Sequence, residues 1–273
     1  MIRPLLIVDG DNFAHRAYHA MPKSTVAPDG SPINAIVGFV AMVARIHAEE
    51  KPRGVFVAWD TLGTDTYRSA LWPEYQTGRI FEADLIRQLE QLPTLCTAFG
   101  FGVGRAAGYE ADDLIASAVA AERGRGGDCL VLTADRDAYQ LVSDRVTVLA
   151  PRRGARALDR ITPLGVVERL GVLPEQVPDF KALCGDASDK IPGIRGIGPK
   201  SAATLLLRLG TLENVVKEWD PALAERAFMF REVVRMRPEA AINLPAGPPD
   251  WSRGAEALRT LGAFGLADRL AAL

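Results

Sequence analysis

The sequence of 273 residues has few of the residues that define several classes of protein. It contains only three cysteines, Cys96, Cys129 and Cys184. Their odd number and wide spacing predict neither a disulfide framework nor a zinc site. No apolar run approaches the roughly 18 residues of a membrane span, and the N-terminal stretch turns acidic at Asp9, too soon for a signal peptide. We therefore expect a cytoplasmic protein with no membrane partner.

Histidine and net charge are also scarce. The three histidines, His15, His19 and His47, accompany no serine or cysteine in a nucleophilic pattern, so we interpret them as surface or packing residues. The chain has 32 basic and 34 acidic residues, a formal net charge of −2. Its 48% hydrophobic and 24% charged residues are typical of globular proteins and exclude disorder.

Three short apolar runs are present, and each is followed by an aspartate. Residues 5–8 precede Asp9, residues 55–59 precede Asp60, and residues 129–132 precede Asp135 by two residues. Continuous apolar runs predict strands that are buried on both faces. Patterns with helical spacing lie between them, so the chain predicts an α/β fold with a mostly parallel sheet flanked by helices. Beyond residue 160 short helical segments follow, and 254–272 is predicted to be a closing helix.

Carboxylates are concentrated where ligands bind in such a sheet. The carboxyl ends of parallel strands share one edge, which brings the three strand-end aspartates together. Three further clusters add acidic residues, and the full set is Asp9, Asp60, Glu110, Asp112, Asp113, Asp135, Asp137, Asp186 and Asp189. Each cluster alone is typical of a helix cap or a turn, but so many carboxylates at one edge repel one another unless cations hold them.

An all-oxygen ligand set favours magnesium or manganese over zinc. Two such ions about 4 Å apart are the usual arrangement for cutting a phosphodiester. If metal ions neutralise these nine acids, 25 acids remain against 32 bases. The rest of the surface then suits a polyanion.

A glycine-rich hairpin lies in the second half of the chain. Residues 191–206 have the pattern of a helix end, a turn containing Gly196 and Gly198, and a second helix that opens near Lys200 and Ser201. The free N–H groups of that helix start, together with Lys200, suit a phosphate. Contacts of this kind follow the nucleic-acid backbone and do not select a base sequence.

Three motifs in this order resemble the structure-specific 5′-nuclease, or flap endonuclease, family. They are Gly108-Tyr-Glu-Ala-Asp-Asp113, Thr133-Ala-Asp-Arg-Asp137 and Gly185-Asp-Ala-Ser-Asp189. The likeness is greatest to the 5′-nuclease domain of bacterial DNA polymerase I and its stand-alone relatives. The resemblance implies a PIN-like sheet, all nine acids as ligands of two or more Mg²⁺ or Mn²⁺ ions, and DNA with 5′ flaps, nicks or branches as the partner.

The resemblance also implies a division of the chain. Residues 1–160 would form the nuclease core, with a helical arch at about 61–90 through which a 5′ single strand passes. Residues 161–273 would form a helical DNA-binding region with a helix-three-turn-helix motif, whose helix-hairpin-helix portion lies at about 175–217. Many members of the family bind a potassium ion at that motif. The closing helix would pack on the core.

Roles for single residues follow from the same resemblance. Arg16 follows the first metal aspartate as the family arginine does. Arg68, Tyr75 and Arg79 match positions at the base of the arch, where the tyrosine stacks on a base and the arginines hold the scissile phosphate. Gln76 stands where the family usually has lysine, so a positive charge is missing beside the reacting phosphate. We expect this to slow cleavage by roughly 10²-fold or more.

The expected activity is metal-dependent 5′-3′ exonuclease and 5′-flap endonuclease cleavage in replication and repair, by a monomer in the bacterial cytosol. RNA–DNA hybrids are a further expected substrate. Two alternatives stay open at this point. One is a junction-binding protein that has lost catalysis, as Gln76 indicates. The other is a phosphatase of the haloacid-dehalogenase type, with Asp9 as its nucleophile. Asp11 is interpreted as a cap of the following helix, in preference to a ligand of another ion.

Overall fold

The computed structural model describes residues 3–61, 63–78, 81–152 and 157–272. In these ranges one sheet contains six strands, which are β1 (Leu5–Asp9), β2 (Gly54–Ala58), β3 (Gly102–Gly104), β4 (Cys129–Leu132), β5 (Val146–Pro151) and β6 (Leu158–Ile161). Their order across the sheet is β3-β2-β1-β4-β5-β6. The first five are parallel and β6 is antiparallel to β5. The expected mostly parallel α/β sheet is confirmed.

Helices surround the sheet. Within the described ranges they are α1 (Gly10–Ala20), α2 (Asn34–Glu50), α3 (Tyr67–Leu71), α4 (Ala83–Ala98), α5 (Ala111–Gly124), α6 (Pro163–Leu170), α7 (Val177–Cys184), α8 (Pro199–Leu209), α9 (Leu212–Val216), α10 (Pro221–Val234), α11 (Trp251–Thr260) and α12 (Phe264–Leu270). Two short 3₁₀ helices cover Asp137–Leu141 and Pro174–Gln176. No helix in the described part of the chain is long and apolar enough to cross a membrane.

The core lies on both faces of the sheet, which explains the continuous apolar runs. In β1, Leu5 and Ile7 pack on the face that carries α5 and the helices α7 to α10. Leu6 and Val8 pack on the opposite face, against α1, α2, α4, α11 and α12. Successive side chains of a strand point to opposite faces, so a central strand buried on both sides must be apolar at every position.

The structure differs from the sequence-based expectation in its helices. The closing helix is two helices, because the chain turns at Gly262 with a φ of +78° between α11 and α12. Helix α4 buries Leu85, Leu89 and Leu92 in the core. One face of residues 83–90 therefore packs in the core, although the expected arch was to reach residue 90. The segment that lies beside the carboxyl ends of the strands precedes α4 in the chain.

The strands β3, β5 and β6 were not predicted from the sequence. Strand β3 has only three residues, and two of them are glycine. Strand β5 is only partly buried, and β6 lies at the edge of the sheet with half-exposed residues. Short or exposed strands carry little hydrophobic pattern, so periodicity does not reveal them.

Helix α11 approaches the core at Gly254, and this contact allows a test of the packing. A β-carbon added at Gly254 would overlap the Phe99 ring. We expect Gly254→Ala to lower the free energy of unfolding by about 1–3 kcal/mol, because overpacking strains a close-packed core. The measurement is urea unfolding. The matched control is Gly265→Ala in α12, where nothing lies within 4 Å and the helix gains up to about 1 kcal/mol. Equal effects of the two changes would contradict the packing assigned here.

Candidate metal centre and nucleic-acid interface

Carboxylates from distant parts of the chain line one cavity at the carboxyl edge of the sheet. The cavity has a volume of about 490 Å³. Its acidic lining residues come from the ends of β1 and β2, the start of α5 and the turn after β4, and they are Asp9, Asp11, Asp60, Glu110, Asp112 and Asp135. Five of these six were expected from the sequence as metal ligands. Parallel topology places these segments together, because the strand ends share one edge.

Thr133 fixes the carboxylates that follow β1 and β4. Its Oγ1 donates to Asp9 Oδ2 at 2.7 Å and accepts from the Asp135 backbone N–H at 3.0 Å. Asp9 Oδ1 also accepts from the Asn12 N–H at 3.2 Å and so caps α1. Thr133 is fully buried. This role of Thr133 was not predicted from the sequence, although a threonine directly after an apolar strand was an available signal.

Asp60 is held by a chain of hydrogen bonds between β2, α1 and α5. Asp60 Oδ1 accepts from the Ala111 N–H at the start of α5 at 2.7 Å. The Asp60 N–H in turn donates to Asp11 Oδ2 at 2.7 Å. The interpretation of Asp11 as a helix cap was wrong, because Asp9 is the N-cap of α1 and Asp11 lies in its first turn. Asp11 positions the backbone that carries Asp60.

A second acidic group lies beside the cavity. Carboxylate oxygens of Asp137, Asp186 and Asp189 lie within 4.8 Å of one another, a spacing that can hold a cation. Lys181 on α7 forms ion pairs with Asp137 and with Asp186, the latter at 2.6 Å. Lys181 was not predicted to belong to the site. A lysine within the apolar α7 was the available signal, since lysine is rarely buried without a partner.

Burial and mutual repulsion raise the pKa values of acids in the cavity. Burial raises the pKa of Asp9 to about 7, and the charges of Asp60 and Asp135 act in the same direction. Burial also raises the pKa of Asp112, and the charges of Asp135 and Asp9 add to it. Such groups resist ionisation unless a cation compensates them. Both shifts therefore favour a bound cation.

In the second acidic group the pKa of Asp186 is shifted in the opposite direction. Burial alone would raise its pKa, but the hydrogen bond and charge of Lys181 lower the pKa of Asp186 to about 2. Burial raises the pKa of Asp189, although a hydrogen bond from Gln76 opposes this effect. The Lys181 ammonium therefore compensates the negative charge of Asp137 and Asp186, whereas Asp189 is contacted by the neutral Gln76 amide.

The structure does not bring Asp113 to the cavity, contrary to its expected role as a metal ligand. Asp113 is fully buried and faces Arg68, whose Nη1 and Nη2 donate to it at 2.6 and 2.9 Å. It also accepts from the Tyr67 hydroxyl at 2.9 Å and the Arg237 N–H at 2.8 Å. These donors use the lone pairs that a metal ion would need. Helical spacing explains the difference, because adjacent residues of a helix point to different faces.

Arg68 and Tyr75 also differ from their expected contacts with DNA. Arg68 is only 2% exposed, and its Nε donates to the Val233 carbonyl of α10 at 2.9 Å. It is therefore unavailable to a scissile phosphate in this structure. The Tyr75 ring is 8% exposed in the core, and its hydroxyl donates to Glu110 Oε2 at 2.9 Å. A ring packed in this way is not open to stack on a base.

Gln76 and Arg16 do border the cavity. Gln76 Nε2 donates to Asp189 Oδ1 at 2.8 Å and to the Tyr75 hydroxyl at 2.7 Å, so it connects the two acidic groups. Arg16 is exposed on α1 and lines the cavity. Arg79 lies outside the described residues, and its expected role stays a prediction.

The glycine hairpin is exposed to solvent. Gly196 has a φ of +86°, and a β-carbon there or at Gly198 would meet no atom within 4 Å. Gly198 is the N-cap of α8, and Lys200 and Ser201 lie exposed in its first turn. Helix α7, which contains Lys181, leads through the acidic loop 185–190 to this hairpin. The chain thus connects an exposed helix start to the acidic centre.

The residues present fit divalent cations. The two acidic groups offer carboxylate oxygen ligands, which suit hard cations. His15 also lines the cavity beside these carboxylates. The fold and the site together define an α/β protein with two groups of carboxylates that could hold cations, beside an exposed helical hairpin. This arrangement suits cleavage of a phosphodiester near a polyanion.

Comparison with known proteins agrees with this class. Residues 4–171 match a family model described as the N-terminal resolvase-like domain of 5′-3′ exonucleases. Residues 172–246 match the model of the C-terminal SAM fold of the same proteins. The chain belongs to the 5′-3′ exonuclease family, whose members are metal-dependent phosphodiester hydrolases.

Curated relatives include bacterial DNA polymerases. The chain is 41% identical to DNA polymerase I of Mycobacterium bovis over 218 residues, 79% of this chain and 24% of that protein. It is 39% identical to the thermostable DNA polymerase I of Thermus thermophilus over 217 residues, 79% of this chain and 25% of that protein. The chain thus spans about a quarter of the length of these relatives.

Solved structures share the fold over nearly the whole chain. The D15 flap endonuclease of bacteriophage T5, solved as a pseudo-enzyme-product complex with DNA and metal ions, has a TM-score of 0.71 at 21% identity and covers 98% of this chain and 97% of its own. The catalytic core of Rad2 in complex with DNA substrate has a TM-score of 0.61 at 16% identity and covers 98% and 91%. At these identities the likeness shows the fold.

Adjacent aspartates of α5 should respond oppositely to neutralisation. We expect Asp113→Asn to lower the free energy of unfolding by about 3 kcal/mol, because the buried Arg68 charge then keeps only its longer ion pair, to Glu110 at 3.5 Å. Asp112→Asn should raise stability in metal-free buffer, because it removes a buried charge that its neighbours repel. The measurement is urea unfolding in the presence of a chelator. An Asp113→Asn variant as stable as the wild type would contradict the structural role of this pair.

Proposed function

We propose that this chain is a divalent-metal-dependent 5′ nuclease that hydrolyses DNA phosphodiesters at junctions between single and double strands. The observation that carries the proposal is the gathering of eight of the nine expected carboxylates into two neighbouring groups at the sheet edge. The products are 5′-phosphate and 3′-hydroxyl ends. Primer removal and flap trimming during replication and repair are the corresponding roles, with RNA–DNA hybrids as a further substrate.

Two or more Mg²⁺ or Mn²⁺ ions are the proposed cofactors. Asp9, Asp60, Glu110, Asp112 and Asp135 would hold the first, and Asp137, Asp186 and Asp189 the second. When bound, such ions activate water and stabilise negative charge on the reacting phosphate. T5 5′-exonuclease binds divalent metal ions (zinc), and the present ligand set is compatible with divalent ions. Asp113 is left out of the proposed set because it is fully buried against Arg68, Tyr67 and Arg237 and belongs neither to the cavity lining nor to the second acidic group.

The chain's own residues have distinct proposed tasks around these ions. Thr133 and Asp11 orient ligands through the hydrogen bonds described above. Lys181 pairs with Asp137 and Asp186, so it holds the two carboxylates near each other and favours the ionised form of Asp186. Arg16 is exposed beside the cavity, where its guanidinium can pair with a phosphate. Gln76 holds Asp189 with an amide, so this position contributes a hydrogen bond without a charge.

The hairpin is the proposed contact to duplex DNA. The exposed N–H groups at Gly196 and Gly198, with Lys200 and Ser201, suit backbone phosphates, and K⁺ is the proposed ion at the hairpin. We further propose that the protein acts as a monomer in the bacterial cytosol or nucleoid. The proposed division remains a nuclease core over residues 1–160 and a DNA-binding region over 161–273.

Neutralising one ligand in each acidic group tests the catalytic proposal. We expect Asp112→Asn and Asp137→Asn each to slow cleavage of a labelled 5′-flap DNA by about 10²-fold or more, since charge on the reacting phosphate loses stabilisation. The assay is product formation with Mg²⁺ or Mn²⁺. The control is Asp144→Asn, an exposed aspartate before β5 at the opposite edge of the sheet. Cleavage that survives both changes would argue against the metal assignment.

The same assay separates the alternative functions. A junction-binding protein without catalysis would bind the flap and yield no product with the wild-type chain. A phosphatase of the haloacid-dehalogenase type would instead release phosphate from a small chromogenic ester. That chemistry gives no role to Asp60, Glu110 or Asp112, which line the same cavity as Asp9.

Lys200→Ala tests the duplex contact. We expect weaker binding to blunt duplexes of every sequence, and a dependence of log affinity on log salt that is shallower by about 1, because one phosphate contact is lost. Fluorescence anisotropy over a salt series, with Ca²⁺ in place of the catalytic metal, measures both. Lys51→Ala is the control, because Lys51 follows α2 at the other edge of the sheet. An unchanged salt slope in Lys200→Ala would place the duplex elsewhere.

A further inference from the structure

Lys190 lies where the acidic loop meets the segment in front of α4. Its Nζ donates to Thr77 Oγ1 at 2.8 Å. Its carbonyl accepts from Trp72 Nε1 at 3.0 Å. The neighbouring Asp189 accepts the Gln76 side-chain amide at 2.8 Å. The Lys190 ammonium is therefore bound to Thr77, the residue after Gln76. In the chain, Lys190 directly follows Asp189 of the second acidic group.

The backbone of Lys190 is unusual for a lysine. Its φ is +57°, in the left-handed region that glycine and asparagine adopt more readily. Lysine is disfavoured in that region, so the backbone conformation does not explain why this position is a lysine. Disfavoured backbone conformations concentrate at functional sites, where the surrounding structure holds them in place. The side chain itself is therefore the feature to explain.

The charge of Lys190 is available, in contrast to that of Lys181. Lys181 is buried and neutralised by Asp137 and Asp186. Lys190 is exposed and has no carboxylate partner within ion-pair distance in the described part of the chain. An ammonium group has three donors, and the structure uses one of them on Thr77. Among the described residues only Thr77 accepts from the Lys190 ammonium, and the side chain is exposed at the border of the acidic centre, near the neutral Gln76.

We propose that Lys190 binds a phosphate of the substrate strand next to the reacting phosphodiester. It provides positive charge on the side of the centre where Gln76 has none. The proposal rests on the function proposed above, because it requires a nucleic-acid strand over the acidic groups. Thr77 holds the ammonium in place, and a phosphate oxygen is the ligand that completes its hydrogen bonds.

Lys190→Asn separates the charge from the backbone. Asparagine tolerates the left-handed conformation, so the loop should keep its shape while the positive charge is lost. We expect single-turnover cleavage of a labelled 5′-flap DNA in Mg²⁺ to slow by on the order of 10-fold. This is less than for a buried donor to an oxyanion, because Lys190 is exposed. The salt slope of flap binding in Ca²⁺ should fall by about 1. Lys190→Arg should retain most of the rate and the slope.

Lys51→Asn is the matched control. Lys51 is the other lysine with a left-handed backbone in the described residues, with a φ of +48°. It follows α2 at the opposite edge of the sheet, so its loss should change neither rate nor slope. Unfolding temperatures of all variants identify any loss of fold. A similar loss in Lys190→Arg and Lys190→Asn would mean a structural role and would overturn the proposal.

A double-variant cycle makes the test specific to this border of the site. Gln76→Lys restores a positive charge one residue from Thr77. We expect it to recover most of the rate lost in Lys190→Asn and to give a smaller gain in the wild-type background. Equal gains in both backgrounds would show that the two charges act independently and would count against the shared phosphate.

Failure of the proposed function is distinguishable from failure of this inference. A wild-type chain that binds the flap without cleaving it would contradict the nuclease proposal, and the salt slope in Ca²⁺ would still decide whether Lys190 contacts a phosphate. A wild-type chain that cleaves, together with a Lys190→Asn variant of unchanged rate and slope, would reject Lys190 alone.

Discussion

Repulsion among carboxylates at one edge of the sheet is the constraint on which the site depends. Parallel strands bring their carboxyl ends together, and the core on both faces keeps these ends partly buried. Burial amplifies the repulsion, as the raised pKa values of Asp9 and Asp112 show. The fold holds the acids in place through backbone N–H groups, the Thr133 hydroxyl and the Lys181 ammonium. These contacts keep the acids close together in spite of their repulsion, and a cation bound between them would relieve that repulsion.

The buried pair of Arg68 and Asp113 has a different task. It joins the segment of α3 to α5, and through the Val233 carbonyl it also joins α10. Because α3 is short and partly exposed, this pair ties the following residues to the core. Tyr75 and Gln76 therefore reach Glu110 and Asp189 from a fixed support. In the Glu-Ala-Asp-Asp motif, Asp112 lines the cavity, and Asp113 binds Arg68 and so anchors the segment beside the cavity.

Helix α7 connects the chemistry to the exposed hairpin. Lys181 lies in its last turns beside the second acidic group, and the loop after it contains Asp186, Asp189 and Lys190. The same segment continues to Gly196 and the start of α8. In the proposed function, α7 and the loop that follows it set the position of a duplex held by the hairpin relative to the metal ions. This coupling suits an enzyme that selects a junction and not a base sequence.

The sequence by itself determined the parallel sheet, the strands β1, β2 and β4, and the carboxylates that meet at their ends. Buried strands and helical spacing leave a periodic record in the residue order, and parallel topology then brings the strand ends together. The sequence also carried the family motifs. It did not show that Asp113, Arg68 and Tyr75 face the core, that Lys181 pairs with two acids, or that Lys190 lies against Thr77. Those facts depend on which face of each helix meets which neighbour, and only the tertiary structure decides that.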